Sequence, residues 1–349
     1  MYQPRYTISN NMIMDIGKIE AAREVIISAP LLPLWEKRFQ EEALIRTVHH
    51  GTHLEGNQLG FSEAKEVVLS QNLHSIRTRD VQEVINYRQV MDYLEEWQNN
   101  RNEITENMYK KLHKLVVNKI LPESVAGEYR LKKVVIKDSK TGLITFRPPE
   151  PDQIPYLLSQ FFKWLNQTSQ EKLHPALCAG ITHYELVRIH PFIDGNGRVA
   201  RAIATLILYT QGYDIRRFFS LEEYYDKDPL TYYEHLQKAE GGDLTLWLEY
   251  FIKGIATEFD KIKQKIQKLS SDNLLKHRLG GKQVFLNERQ TKLVEYLQET
   301  GYLQNQAFNS LFPDYSEDTI LRDIKDLMDK QLISKIGKTK GAKYVLKKG

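Results

Sequence analysis

His190-Pro-Phe-Ile-Asp-Gly-Asn-Gly-Arg-Val-Ala-Arg201 is the stretch on which the reading of this chain turns. Within it, Asp194-Gly-Asn-Gly197 is a tight loop whose two glycines tolerate positive φ and leave backbone N–H groups open. The residues that follow, GRVARAIATLILY, carry Val199, Ile203, Leu206 and Ile207 on one face and predict an amphipathic helix. A glycine turn feeding a helix N-terminus is an anion site, because unpaired N–H groups and the helix dipole converge there. Arg198 and Arg201 lie three residues apart and project from that end, where a guanidinium fork suits a phosphate. Asp194 stands at the loop's mouth and suits Mg2+, which takes one or two carboxylates plus phosphate oxygens. His190, held by Pro191 at the end of the preceding helix, has the side chain whose ordinary pKa fits proton transfer near neutrality. A plain turn between two core helices does not need all five of these groups within twelve residues.

Outward from this run, residues 131–149 read LKKVVIKDSKTGLITFRPP. Two β-branched stretches, Val134-Val135-Ile136 and Leu143-Ile144-Thr145-Phe146, flank a DSKTG turn, which predicts a β-hairpin closed off by prolines. A lone hairpin is marginal in water and must lean on helices. Helical periodicity fills 35–50, 79–98, 105–118, 153–166 and 229–240, so the fold class is mainly α. His183 reads as structural, two helical turns before His190. His49, His50 and His53 lack carboxylates at ligand spacing and are not read as a metal site. Tyr224, Tyr225, Tyr232 and Tyr233 fit aromatic core packing, with an adenine pocket as the other reading.

Composition sets the frame. The 349 residues allow two or three domains, at 41% hydrophobic and 27% charged residues with a net charge of +4, too small for whole-chain electrostatics to announce nucleic acid. One cysteine, Cys178, excludes an internal disulfide. There is no apolar run of transmembrane length and no signal-peptide pattern, so no membrane association is expected and a cytoplasmic location is. The expected division is an N-terminal helical segment (1–75), a catalytic core (76–260), a helix end and linker (261–283) and a small C-terminal domain (284–349). That last part predicts helices over 287–299, near 303–311 and from Ser316 to about Lys330, then short strands at 333–336 and 344–346. Three helices and a two-stranded wing make a winged helix-turn-helix. Ser316 caps the third helix, Ile320, Ile324, Leu327 and Met328 form its buried stripe, and Thr319, Arg322 and Lys325 face outward as candidate DNA contacts. Lys338 and Lys340 would sit in the wing over phosphates. The competing reading is a protein-docking or dimerisation module, since Asp318, Asp323 and Asp326 dilute the positive face.

The 190–201 run resembles the signature of the Fic/Doc family, His-Pro-Phe-x-Asp/Glu-Gly-Asn-Gly-Arg-x-x-Arg, at every fixed position. The resemblance extends over roughly residues 20–260. It implies a helical core in which residues 134–146 form a flap that docks an extended target segment by strand addition, through Val134, Val135 and Ile136. It implies transfer of AMP from ATP to a Ser, Thr or Tyr hydroxyl of a target protein and of the chain itself. His190 would be the base, Asp194 the Mg2+ ligand, Gly195, Asn196 and Gly197 the α/β-phosphate contacts, and Arg198 and Arg201 the β/γ-phosphate anchors. Residues 51–57, Gly-Thr-His-Leu-Glu-Gly-Asn, resemble the family's inhibitory motif, with Glu55 pairing Arg201. Position 51 departs from it, being Gly where the family has Ser or Thr. The family resemblance also implies a homodimer. Other readings stay open: removal of AMP by water that Glu55 activates, a different donor, or a DNA-binding regulator whose core senses nucleotide.

Overall fold

The structure, a computed structural model, describes residues 2–29, 33–69, 79–100, 103–137, 142, 144–168, 173–271, 286–313, 315–337 and 342–347. The chain divides into two compact units, Met1–Gln264 and Lys265–Gly349.

The first unit runs α1 (Asn10–Ser28), α2 (Pro33–His53), α3 (Phe61–Leu69), α4 (Arg79–Asn100), α5 (Glu106–Val116), β1 (Ile136–Lys137), β2 (Ile144–Phe146), α6 (Ile154–Thr168), α7 (Pro175–Ile189), α8 (Asn196–Thr210), α9 (Leu221–Lys227), α10 (Pro229–Lys238) and, as far as Gln264, α11 (Thr245–Ser271). Side-chain caps set several starts: Ser9, Thr105, Ser220 and Asp228 each accept from a backbone N–H of the first turn. The centre is the pair α7–α8. Every residue of α7 from Ala176 to Leu186 is buried, as expected of a helix that is covered on all sides. At Gly180 an added Cβ would meet Leu248 Cδ2 at 2.8 Å, so α11 comes in close, and Trp247 Nε1 donates to Gly180 O at 2.7 Å. Fully buried Phe192, Trp247 and Phe251 each contribute about 2–3 kcal/mol of apolar burial. α4 and α5 pack on α8, α6 packs on α7, and α2 lies against α3, α4 and α9. None of the described helices is long and apolar enough to cross a membrane.

The hairpin is shorter than its sequence pattern predicts. β1 pairs antiparallel with β2, Ile136 opposite Phe146 and Lys137 opposite Ile144. Val134 and Val135 precede the strand rather than forming it, and Val135 is exposed. Past the Ile136–Phe146 pair the facing chain reaches Pro148 and Pro149, which have no N–H to give a ladder, and the carbonyls of Lys132 and Pro149 bond to the Arg130 side chain. The predicted turn at 138–141, with Leu143, lies outside the described residues.

The second unit holds α12 (Glu288–Thr300), a 3₁₀ turn at Asn305–Ala307, α13 (Phe308–Leu311), α14 (Glu317–Asp329), β3 (Ile333–Ile336) and β4 (Lys343–Leu346). Asn287 and Gln290 form a reciprocal capping box at the start of α12. Leu293, Leu297, Phe308, Ile320, Ile324, Leu327 and Tyr344 are among the residues of its core. β3 and β4 pair antiparallel from Ile333–Leu346 to Ile336–Lys343. Lys338, Lys340 and the Gly280-Gly281 break lie outside the described residues.

Candidate active site

The loop between α7 and α8 is built from its own side chains. His190 caps α7 in the left-handed region at φ 48°, which turns the chain sharply at Pro191. Asn196 then closes the loop: its Oδ1 accepts from Phe192 N and its Nδ2 donates to Phe192 O, both at 2.9 Å. The side chain is thus engaged within the loop, and the backbone amide of Asn196 is left in the open first turn of α8. Phe192 stacks on His113 of α5 at 3.8 Å between ring centroids. Gly127 N donates to His113 Nδ1 at 2.7 Å, so the Nε2–H donates to Asp194 O at 3.0 Å and the ring is neutral. Burial pushes the His113 pKa down to about 4, against the Asp194 contacts that raise it.

Gly195, at φ 82°, is the N-cap of α8 and brings no capping side chain. The first turn is thus open to an anion, and the chain supplies one. Glu55, just past the end of α2, puts Oε1 2.8 Å from Arg201 Nη1. The same oxygen would lie 2.2 Å from a Cβ at Gly197, so the carboxylate sits directly over the bare glycine backbone. Arg201 Nη2 donates to Gly51 O at 2.8 Å. An added Cβ at Gly51 would meet Tyr87 Cε1 at 2.4 Å, which accounts for glycine where a hydroxyl residue was expected. The hydroxyls of Tyr87 and Tyr232 lie against the same guanidinium.

Arg198, equally buried, donates through Nη2 to Asp194 Oδ1 at 3.0 Å and holds Nη1 3.5 Å from Glu83 Oε1. Neither Nε nor Nη1 of Arg198 or of Arg201 makes a well-aligned hydrogen bond, although both side chains are buried. Four guanidinium nitrogens in that state fit a phosphate chain. Asp194 is half-exposed and accepts from Arg79 Nη2 at 2.8 Å through its other oxygen. No group of three metal-ligating side chains exists among the described residues. A Mg2+ ion at Asp194 fits only as a phosphate-bound ion completed by water, once Arg79 gives way.

His190 is half-buried, with Nδ1 3.3 Å from Val187 O. With the proton on Nδ1, the lone pair lies on Nε2. Desolvation pushes its pKa down to about 4, with the Val187 carbonyl and Glu55 acting upward and Arg130 acting downward. The ring is a free base at neutral pH. Glu55, His190, Asp194, Arg198 and Arg201 are therefore clustered as the sequence predicts. Arg79, Glu83, His113 and Arg130 join them unannounced. Of the other candidates, His183 Nε2 meets Tyr232 Oη at 2.8 Å in the core, and His50 and His53 both bond Asp226 through Nδ1. Tyr225 and Tyr232 are core aromatics.

A base, an acid and two buried cations surround an open helix N-terminus in a helical fold, an arrangement whose chemistry suits a phosphate group. The chain carries a Fic/DOC family domain: residues 103–208 match that family's model. The chain is similar to a protein adenylyltransferase Fic of Nematostella vectensis, 30% identical over 241 residues that cover 67% of this chain and 52% of the relative. It is also similar to one of Culex quinquefasciatus, 28% identical over 235 residues, covering 67% of this chain and 44% of that one. The chain spans about half the length of the curated relatives it matches. Among solved structures, a Fic family protein from Desulfovibrio desulfuricans G20 shares the fold with a TM-score of 0.69 at 23% identity, covering 100% of this chain and 99% of that one.

Proposed function

We propose that this chain is a protein adenylyltransferase that moves AMP from Mg-ATP to a hydroxyl of a target protein and of itself, and that it rests in an inhibited state. The observation that carries this reading is the start of α8, where buried Arg198 and Arg201 keep Nε and Nη1 out of well-aligned hydrogen bonds beside the unprotonated His190. The named activity of the relatives supports the reaction class.

In this reading His190 Nε2 takes the proton of a Ser, Thr or Tyr hydroxyl. The oxygen forms a bond to the α-phosphorus, the bond from that phosphorus to the bridging oxygen breaks, and pyrophosphate leaves. The amides of Gly195, Asn196 and Gly197 and the forks of Arg198 and Arg201 hold the phosphates, so the protein contributes mainly position and charge. Mg2+ at Asp194 supplies further neutralisation of phosphate charge when bound. The β1–β2 edge lays down the target segment, with Val134, Val135 and Ile136 along its approach. Glu55 holds Arg201 away from the terminal phosphate, because one fork serves one carboxylate or one phosphate fully.

Labelling with α-labelled ATP and Mg2+ tests it. Glu55→Gly is expected to label itself and lysate proteins at least about tenfold more than wild type, the cost of one lost fork contact in reverse. His190→Ala in the same background is expected to abolish label. Equal labelling by wild type and Glu55→Gly would sink the inhibitory role. Release of AMP from prelabelled protein by wild type alone would favour AMP removal with Glu55 activating water.

For the second unit we propose a winged helix-turn-helix that binds DNA through α14, on the observation that Arg322 and Lys325 are both exposed on it while Ile320, Ile324 and Leu327 are buried.

A further inference from the structure

Arg130 differs from the other buried cations of the first unit. Arg198 and Arg201 each face a carboxylate, whereas Arg130, 2% exposed, gives its whole fork to carbonyl oxygens. Nε donates to His190 O at 2.8 Å, Nη1 to Lys132 O at 3.1 Å and Nη2 to Pro149 O at 2.6 Å. Its backbone N–H donates to Pro191 O at 2.8 Å. Glu150, the acid that acts on it from outside, is ion-paired with Lys133 at 2.7 Å. Burying a guanidinium without a carboxylate is costly, and a fold that only needed to fill this space would do so with an apolar side chain.

The three acceptors say what the fork joins. Lys132 is on the stem entering β1, Pro149 is on the stem leaving β2, and His190 is the left-handed residue that ends α7. No other residue type spans three such carbonyls in one plane, and a lysine ammonium in particular lacks the fixed geometry. We propose that Arg130 is a positioning residue that locks both stems of the β1–β2 hairpin to the His190 backbone, so that a hydroxyl carried on the hairpin edge meets the His190 ring in register. This rests on the transferase reading of His190. A second effect follows from proximity: the Arg130 charge is one of the causes holding the imidazole unprotonated, after burial.

The test uses full-length protein in the Glu55→Gly background, with Arg130→Lys and Arg130→Gln. Three readouts separate positioning from general support: NMR titration of the His190 ring, hydrogen exchange of the stem amides at 131–137 and 144–147, and self-labelling set against affinity for a fluorescent ATP analogue. Both variants are expected to speed stem exchange and to cut self-labelling by about tenfold or more, with analogue affinity changed by less than about twofold. Arg130→Gln is expected to raise the His190 pKa, while Arg130→Lys, which keeps the charge, leaves it in place. Unchanged stem exchange and an unchanged His190 titration in folded Arg130→Gln would overturn the proposal. So would equal losses of analogue affinity and label, the sign of plain unfolding. If the Glu55→Gly parent itself gives no label, the transferase reading falls, and stem exchange and the His190 titration still decide whether Arg130 locks the hairpin.

Discussion

At Gly51 a missing side chain sets the position of a charge 150 residues away in sequence. Its carbonyl holds Arg201 Nη2, and Tyr87 occupies the space where a Cβ would stand. Tyr87 is itself tied down, donating to Glu222 Oε1 at 3.1 Å in the core. Overpacking a fixed site of this kind costs about 1–3 kcal/mol. Gly51→Ser is therefore expected to lower stability by that amount in a urea melt. Adding Tyr87→Leu should return part of it, so that the double variant loses less than the sum of the singles by more than about 0.5 kcal/mol. Strict additivity would show that Tyr87 is not what excludes the side chain. The family-like hydroxyl at this position is thus absent for a packing reason, and Thr52, one place on, spends its own hydroxyl on Val48 O and His49 O.

At the scale of elements, the DNA reading depends on α14 alone. Arg322 and Lys325 are exposed, but so are Glu317, Asp318 and Asp329 on the same helix. Each phosphate contact contributes about −0.9 to the slope of log affinity against log salt. Arg322→Ala with Lys325→Ala should flatten the slope by about 2. Absence of retardation by wild type at low salt would end the reading. Elements were the most legible layer of the sequence: α2, α4, α5, α6, α8, α10 and the β3–β4 pair lie where the apolar pattern puts them. The run from His190 to Arg201 was legible because loop, cap and helix are contiguous, so local chemistry implies proximity. Arg79, Glu83, His113 and Arg130 were not, because they reach the loop from α4, α5 and the hairpin stem. No spacing records that Arg130 meets His190 or that Arg79 meets Asp194. The hairpin's start was misplaced for a local reason: β-branched residues suggested a strand where the facing Pro148 and Pro149 cannot pair.

For the molecule as a whole, buried histidines set the response to acid. His113 and His190 are held at about 4, His183 well below its ordinary value and His49 below it, in each case with burial as the largest cause. These rings titrate near 6.5 when unfolded. Their folded pKa values are depressed, so the unfolded chain binds more protons between about pH 6.5 and 4, and stability falls as pH falls through that window. The upward shifts of the buried acids Glu222 and Glu258 act in the opposite sense but are smaller. Glu223, held at about 2, loses its contribution only below the ordinary carboxylate range. A Tm that drops steadily from pH 6.5 to pH 4.5 is expected, and a flat Tm over that range would contradict the neutral assignment of these rings. The Glu55–Arg201 contact carries a different kind of consequence, because its two members are unequally accessible: the Glu55 side chain is 27% exposed and that of Arg201 is 1% exposed. In the inhibited state proposed above, the acid acts as a tethered competitor at the rim of a fixed receptor. An anion in solution must outbid an effective concentration of about millimolar or more before Arg201 changes hands. Occupancy then becomes a titration against abundance, in which a scarce anion leaves the tether in place and a plentiful one displaces it.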